Sequence, residues 1–445
     1  MTLARDDLAR AADVRLDLPV LAFAVVVSLA SGVAAGTLPA LRGAPADLAA
    51  ALRELAGAPG GGQLRAALVS IEVGLATVLV VGAALLVTSF SRLMNVDPGF
   101  RPEGALLVRL TLPARGDSLD FIDLYQRLLD AAAAVPGVSA VGAVKSAPLR
   151  GDGGERWSFA IGGEPAPATG QEPTAEAFPI SPGFFRAMGI PLLAGRDLAA
   201  VESSPVAIVS ESLAKKHLGG SAAIGRELIA GPLRLRVIGV VGDVRSVRLD
   251  QAPRAAFYLP EAIMPRVAMA RVVRSALPTS TLAPALRAAV RSISADLPLS
   301  EITTLEEVVS HSVRAPRFLA LVMSLFGFAA LALAVVGIYG VVAQAVGSRA
   351  KEIAIRRALG ATGREVIAQA MRHGLGAALV GLAAGLAAAL AGGRILTAVL
   401  FQTSAAEPST YLAVALSLAA AAACGSYLPA RRAARIEPMD ALRAE

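Results

Sequence analysis

The chain has 445 residues, 55% of them hydrophobic and 17% charged, with a mean hydropathy of +0.60. This is too apolar for an ordinary soluble protein of that length. The net charge of +7 does not argue for nucleic acid, because the bases cluster beside apolar runs, and the one cysteine, Cys424, excludes an intrachain disulfide or thiolate metal cluster.

Met1 to Asp17 is a polar lead-in with balanced charge, unlike the start of a signal peptide. Five nearly uncharged runs follow, at 18–41, 66–91, 318–348, 375–400 and 408–430. Each is near or above the roughly 20 residues that a helix needs to cross ~30 Å of hydrocarbon, so five spans are expected. Arg42, Arg53 and Arg65 lie after the first run, Arg349 to Arg372 after the third, and Arg431 to Arg443 after the fifth. The positive-inside rule makes those three segments cytoplasmic. By alternation, 92–315 and the turn 401–409, which carries Glu407 and no base, lie outside, and so does Met1.

The loop 42–64 contains Gly60-Gly61-Gly62 and reads as a flexible linker. Within the second span Glu72 is the one acid. It reads either as a proton-relay group or as a hydrogen-bonding partner of a neighbouring helix. Gly32 with Gly36, and Gly381 with Gly385, are spaced for close helix packing.

Segment 92–315 has the pattern of an α+β domain. Strands are predicted at 105–112, 138–144, 206–209, 233–241, 255–258 and 267–273. Helices are predicted after Ser118 as N-cap through Ala133, with Leu119, Ile122, Leu128 and Leu129 inward, and over 212–217 and 281–294. A Gly/Pro-rich excursion spans 147–183. Alternating strands and helices predict split βαβ units side by side, in two subdomains.

After the third long run, Glu352 precedes Arg356 by four residues, and Ile353, Ile355, Ala358 and Leu359 supply apolar surface before Gly360 stops the helix. A short amphipathic helix at the cytoplasmic face is expected. It would serve either to dock a partner or to anchor at the lipid surface. Thr362 and Glu365 form a capping box for the helix that enters the next span.

Three stretches carry a family resemblance: Ser181-Pro-Gly-Phe-Phe-Arg-Ala-Met-Gly-Ile-Pro-Leu-Leu-Ala-Gly-Arg-Asp197, Val206-Ala-Ile-Val-Ser-Glu-Ser-Leu-Ala214 and Val237-Ile-Gly-Val-Val-Gly-Asp-Val-Arg245. They resemble the periplasmic core domain of MacB/FtsX-like permeases. Lys351-Glu-Ile-Ala-Ile-Arg-Arg-Ala-Leu-Gly-Ala-Thr362 and the tail Pro429 to Arg435 resemble that family's cytoplasmic hallmark and terminus. The likeness covers about 65–445. It implies a helical membrane bundle, four spans per unit, with a large α+β extracytoplasmic domain of MacB type, in the bacterial inner membrane. It implies an extra span and cytoplasmic linker at 1–64, a transmembrane helix at 65–91, an external domain at 92–315, and an FtsX-like domain at 316–445. That last domain holds three spans and a cytoplasmic coupling segment, 349–372.

The resemblance further implies a non-catalytic permease subunit of an ABC-type system, working by mechanotransmission for export or efflux. Its partners would be a separate cytoplasmic ATPase carrying the ATP, another permease half or a second copy, and a periplasmic adaptor, outer-membrane channel or hydrolase. Arg349, Lys351, Glu352, Ile353, Ile355, Arg356, Arg357, Leu359 and Gly360 would form the ATPase-coupling surface. The alternative is an FtsX-like regulator whose external domain activates a cell-wall hydrolase.

Enzyme signatures are weak. Ser212-x-x-Lys215 matches a serine–lysine motif without its companion motifs. His217, His311 and His373 are too scattered for zinc, and no lysine stands in a G-x-x-x-x-G-K context, so no metal and no bound nucleotide are expected. Finally, Leu38-Pro39-Ala40 with Arg42, Ala44 and Ala51-Leu52-Arg53 repeats as Leu428-Pro429-Ala430 with Arg432, Ala434 and Ala441-Leu442-Arg443. The repeat makes 1–64 resemble the final span of a preceding permease half, as in duplicated acidobacterial-type permeases.

Overall fold

The computed structural model describes residues 60–433 except 112–117, 151–152, 166, 169, 203, 264–267, 294–298, 349, 360 and 398–399. Of the first predicted span only positions 22, 25, 26 and 29 are described, and they are helical. Gly32 and Gly36 lie outside the described residues. Four described helices are long and apolar enough to cross a membrane, with spans at Ala66–Met94, Arg314–Gly347, Gly363–Ile395 and Pro408–Arg432. Contacts within the chain define two units, 1–78 with 329–388 and 413–445, and 79–328 with 389–412.

The second unit is built on a mixed sheet. Its elements in chain order are the end of α1 (Gly60–Met94), β1 (Ala105–Thr111), α2 (Ser118–Ala133) and β2 (Val138–Val144). Next come β3 (Glu155–Ser158), β4 (Ala160–Ile161), β5 (Thr174–Ile180), α3 (Phe184–Met188), β6 (Leu192–Gly195), β7 (Val206–Ser210) and α4 (Glu211–His217). They are followed by β8 (Glu227–Ala230), β9 (Leu233–Val241), β10 (Ala256–Pro260), β11 (Ala268–Ser275), α5 (Thr279–Ile293), β12 (Leu299–Thr304) and α6 (Leu305–Ser312).

Twelve described strands run in the order β12-β1-β11-β2-β5-β10-β7-β9-β8-β4, with β3 on β5 and β6 on β9. The first four form an antiparallel split βαβ pair, β1-α2-β2 and β11-α5-β12, whose two halves are separated in sequence by everything from β3 to β10. The rest of the sheet joins this quartet through one residue pair, Val144 with Ile180.

This corrects the expectation of side-by-side subdomains: one βαβ pair is interrupted by an insertion, and both parts share a core. Alternation along the strands explains why. Leu107, Val144, Val272, Ile208 and Tyr258 point to one face and form a single cluster across both parts. Leu106, Val108, Ala143 and Val273 point the other way, under α2 and α5, while Val209 and Phe257 pack against Leu213 of α4.

The shared cluster also takes in Leu93 and Phe100 from the end of α1 and beyond, and Leu305, Val308 and Val313 at α6. The excursion 147–183 contains β3, β4 and β5, and α2 begins at Ser118. Leu119 and Ile122 belong to α2, and Leu128 and Leu129 are buried as predicted. Boundaries at 105–111, 268–275 and 279–293 fall within a residue or two of those predicted.

The first unit comprises the start of α1, most of α7 (Arg314–Ser348), α8 (Ala350–Ala358), most of α9 (Gly363–Leu396) and most of α10 (Pro408–Ala433). Its core is small-residue packing around Val73, Ala76, Ile338, Val342, Ala377 and Ala422. Ser70 Oγ donates to the Ala377 carbonyl at 2.9 Å, joining α1 to α9. Gly381 and Gly385 make the close approach their spacing predicts. A Cβ on Gly385 would lie 2.6 Å from Thr77 Cβ and 2.5 Å from the Gly74 carbonyl, and one on Gly381 would lie 2.9 Å from Val73 Cβ. Gly74, which pairs with them from α1, is not distinguished by sequence spacing.

Candidate coupling segment

Helix α8 forms where the sequence alternates charge and apolar residues at helical spacing, and the Glu352–Arg356 pair closes at 2.7 Å along its exposed side. The predicted apolar surface divides. Ile353 and Ile355 are two residues apart, about 200° around a helix, so they cannot share a face. Ile353 packs into the core of its unit, whereas Ile355 is 51% and Leu359 83% exposed. The outward side of the segment therefore carries two aliphatic groups, Ile355 and Leu359, beside an ion pair.

Arg356 also donates through Nη1 to Gln369 Oε1 at 2.9 Å, fixing α8 against α9. Gln369 was not singled out by sequence, since no local pattern links positions 13 apart. Ala345, Val346, Ile353, Val366 and Ala370 line a small cleft between α7, α8 and α9, with Glu352, Arg356 and Gln369 beside them. The Thr362 backbone N–H donates to Glu365 Oε2 at 3.0 Å, the glutamate half of the predicted box, and α9 starts at Gly363. A full capping box occurs at Thr304 and Glu307 ahead of α6. Arg357 is half-buried and Lys351 belongs to α8, while Arg349 and Gly360 lie outside the described residues.

Glu72 faces α7, its carboxylate packed against Gly337: a Cβ there would meet Glu72 Cδ at 2.9 Å.

The enzyme-like features have ordinary partners. Lys215 Nζ sits 2.6 Å from Glu211 Oε1, and Ser212 Oγ sits 3.1 Å from Ser210 Oγ, so the lysine is turned to a carboxylate one helical turn back. Replacing both Ser212 and Lys215 by alanine should leave folding and every measurable transport or partner function unchanged; an activity lost in that variant would restore a catalytic reading. His217 packs edge-on to Phe159 at 5.3 Å, and burial pushes its imidazole below the usual histidine range. His311 contacts Arg314 at 2.8 Å. Among the described residues no group of His, Cys, Asp and Glu could hold a metal.

The family model described as "MacB-like periplasmic core domain" matches residues 71–295, about half the chain, and "FtsX-like permease C-terminal" matches 324–438. The chain belongs to the MacB/FtsX-like permease family. Like other members of the family, this permease is a helical protein of the inner membrane with an extracytoplasmic domain of MacB type.

Among curated relatives, a macrolide export ATP-binding/permease protein MacB of Chromobacterium violaceum is 27% identical over 61% of this permease and 44% of its own length. A pyoverdine export ATP-binding/permease protein PvdT of Pseudomonas putida is 25% identical over 55% and 38%. The permease thus spans less than half the length of these relatives. The periplasmic region of MacB from Actinobacillus actinomycetemcomitans, a solved structure, covers 49% of this chain and 97% of its own at 14% identity and a TM-score of 0.34.

Proposed function

We infer that this chain is a non-catalytic permease subunit of an ABC-type exporter, driven by ATP bound to a separate cytoplasmic ATPase. Its role is mechanotransmission: the ATPase moves α8, and helices α7 and α9 relay that motion toward the extracytoplasmic domain. One observation carries the reading. The outward side of the α8 segment presents Ile355 and Leu359 beside a Glu352–Arg356 pair, while Arg356 and Ile353 hold the helix against its own unit. Aliphatic anchors next to charge suit a protein groove. Their rigid backing suits transmission of a displacement.

The curated relatives are named as ATP-binding/permease proteins. This chain has no lysine in a phosphate-cradling G-x-x-x-x-G-K context. In this reading the ATPase is a separate chain, and a second permease half or copy completes the assembly.

The test is association. Arg356→Glu with Arg357→Glu reverses two charges, and Ile355→Ala with Leu359→Ala removes the anchors. Each pair should abolish copurification of the ATPase while the protein still inserts into the membrane and melts normally. Unchanged ATPase association in both would overturn the reading, and an external hydrolase recovered in place of an ATPase would favour the regulator alternative.

A further inference from the structure

The ten residues between α1 and β1, 95–104, are the chain's path from the first described span into the sheet. A plain connector would be solvated loop, and Arg101, Glu103 and Gly104 are indeed exposed. Yet their backbone is bound from three directions. The Arg101 N–H donates to the Met188 carbonyl at 2.9 Å, the Arg245 N–H to the Pro98 carbonyl at 3.0 Å, and the Ser275 N–H to the Gly104 carbonyl at 2.8 Å.

Gly99 adopts φ +83°, and a Cβ there would fall 2.9 Å from Val244 Cα and closer still to the Asp243 carbonyl, so the turn is pressed onto the β9–β10 loop. Phe100 is buried in the shared core.

One side chain ties these contacts together. Arg274, on β11, donates from Nε to the Ala187 carbonyl at 2.8 Å, from Nη1 to the Glu103 carbonyl at 2.7 Å, and from Nη2 to the Arg101 carbonyl at 2.7 Å. A planar guanidinium fixes three acceptors at set angles, whereas an ammonium acts as a point charge on a flexible stem. Three charge-assisted bonds from a strand of the central sheet to the connector and to the end of α3 make a stiff bracket. None of them contributes to strand pairing.

We propose that Arg274 is the positioning residue of a rigid span–domain joint, which makes the extracytoplasmic sheet turn with α1 rather than swing on a loop. The inference deepens the mechanotransmission reading and rests on it for its purpose, but the stiffness of the joint can be measured without it.

The experiment uses the full chain in lipid nanodiscs with Cys424→Ser, spin-labelled at Ser91→Cys near the end of α1 and Ala288→Cys on α5, both exposed positions. The parent should give one narrow interspin distance. Arg274→Gln and Arg274→Lys should each lose that single narrow distance, while Trp157 fluorescence and ATPase association stay as in the parent. Arg248→Gln, which breaks an exposed Arg248–Asp250 pair in the same domain, should keep it.

A single narrow distance retained in Arg274→Lys, or in both variants, would overturn the joint. With the ATPase and ATP added, the variants should keep ATP turnover and lose any outward movement of the domain label; a simple loss of fold would move both together. If the parent shows no ATP-dependent movement while the variants still broaden, the joint stands and mechanotransmission fails.

Discussion

Gly142→Val should destabilise the extracytoplasmic domain by about 3 kcal/mol or more, even though valine is the better strand former. Gly142 lies in β2 opposite Val272. A Cβ on it would stand 2.7 Å from Phe184 N and nearer still to Phe184 Cα. Both atoms are backbone, so no rotamer change relieves the clash, and α3 must move off the sheet. The cost spreads because Phe184, Phe185, Ala187 and Met188 of α3 are all buried in the shared core.

The chain supplies its own probe. Its one tryptophan, Trp157, sits edge-on to Phe257 at 6.3 Å. Thermal unfolding of the full chain followed by Trp157 fluorescence should shift down by roughly 6–12 °C, at about 2–4 °C per kcal/mol for a domain of this size. An unshifted transition would show that α3 does not lie against β2 as described.

In the membrane-spanning part, Gly385→Leu should separate α9 from α1. The glycine faces Thr77 Cβ and the Gly74 carbonyl at distances no side chain tolerates. Without a hydrophobic drive between helices in lipid, close packing of this kind is what holds them together. A cysteine pair at Ser70 and Ala377, whose side chain and carbonyl are 2.9 Å apart in the parent, should cross-link efficiently in a Cys424→Ser background and poorly once Gly385 is leucine. Gly376→Leu, on the same helix with nothing within 4 Å of a Cβ, should leave the yield unchanged. Equal yields in all three proteins would sink the proposed role of Gly385.

Much of this was legible in the sequence. Apolar run length located all four described spans, because a helix in lipid must be long and uncharged whatever it packs against. Period-two and period-3.6 patterns placed β2 and β9 at their observed ends and α5 to within two residues. The Glu352–Arg356 pair followed from spacing alone.

What failed was whatever depends on distant partners. The excursion 147–183 shows no clear strand pattern because β3 and β4 are short and lie beside Gly and Pro, and its strands depend on pairing, β3 with β5, β4 with β8 and β5 with β10. Helical spacing sets Ile353 and Ile355 on opposite sides, but which of them is buried was settled by the neighbouring helices. Gln369 and Gly74 carry no local signal at all.

The sequence by itself therefore determined a membrane-spanning protein with an external α+β domain and a charged, aliphatic helix after its third predicted span. Those properties are written in hydropathy and short-range periodicity. Only the tertiary structure decided that the external strands form one sheet over one shared core, that Glu72 rests on Gly337, and that Arg274 brackets the exit of α1. Each of these brings together residues tens to hundreds of positions apart, and such contacts are fixed by packing and hydrogen-bond geometry rather than by local pattern.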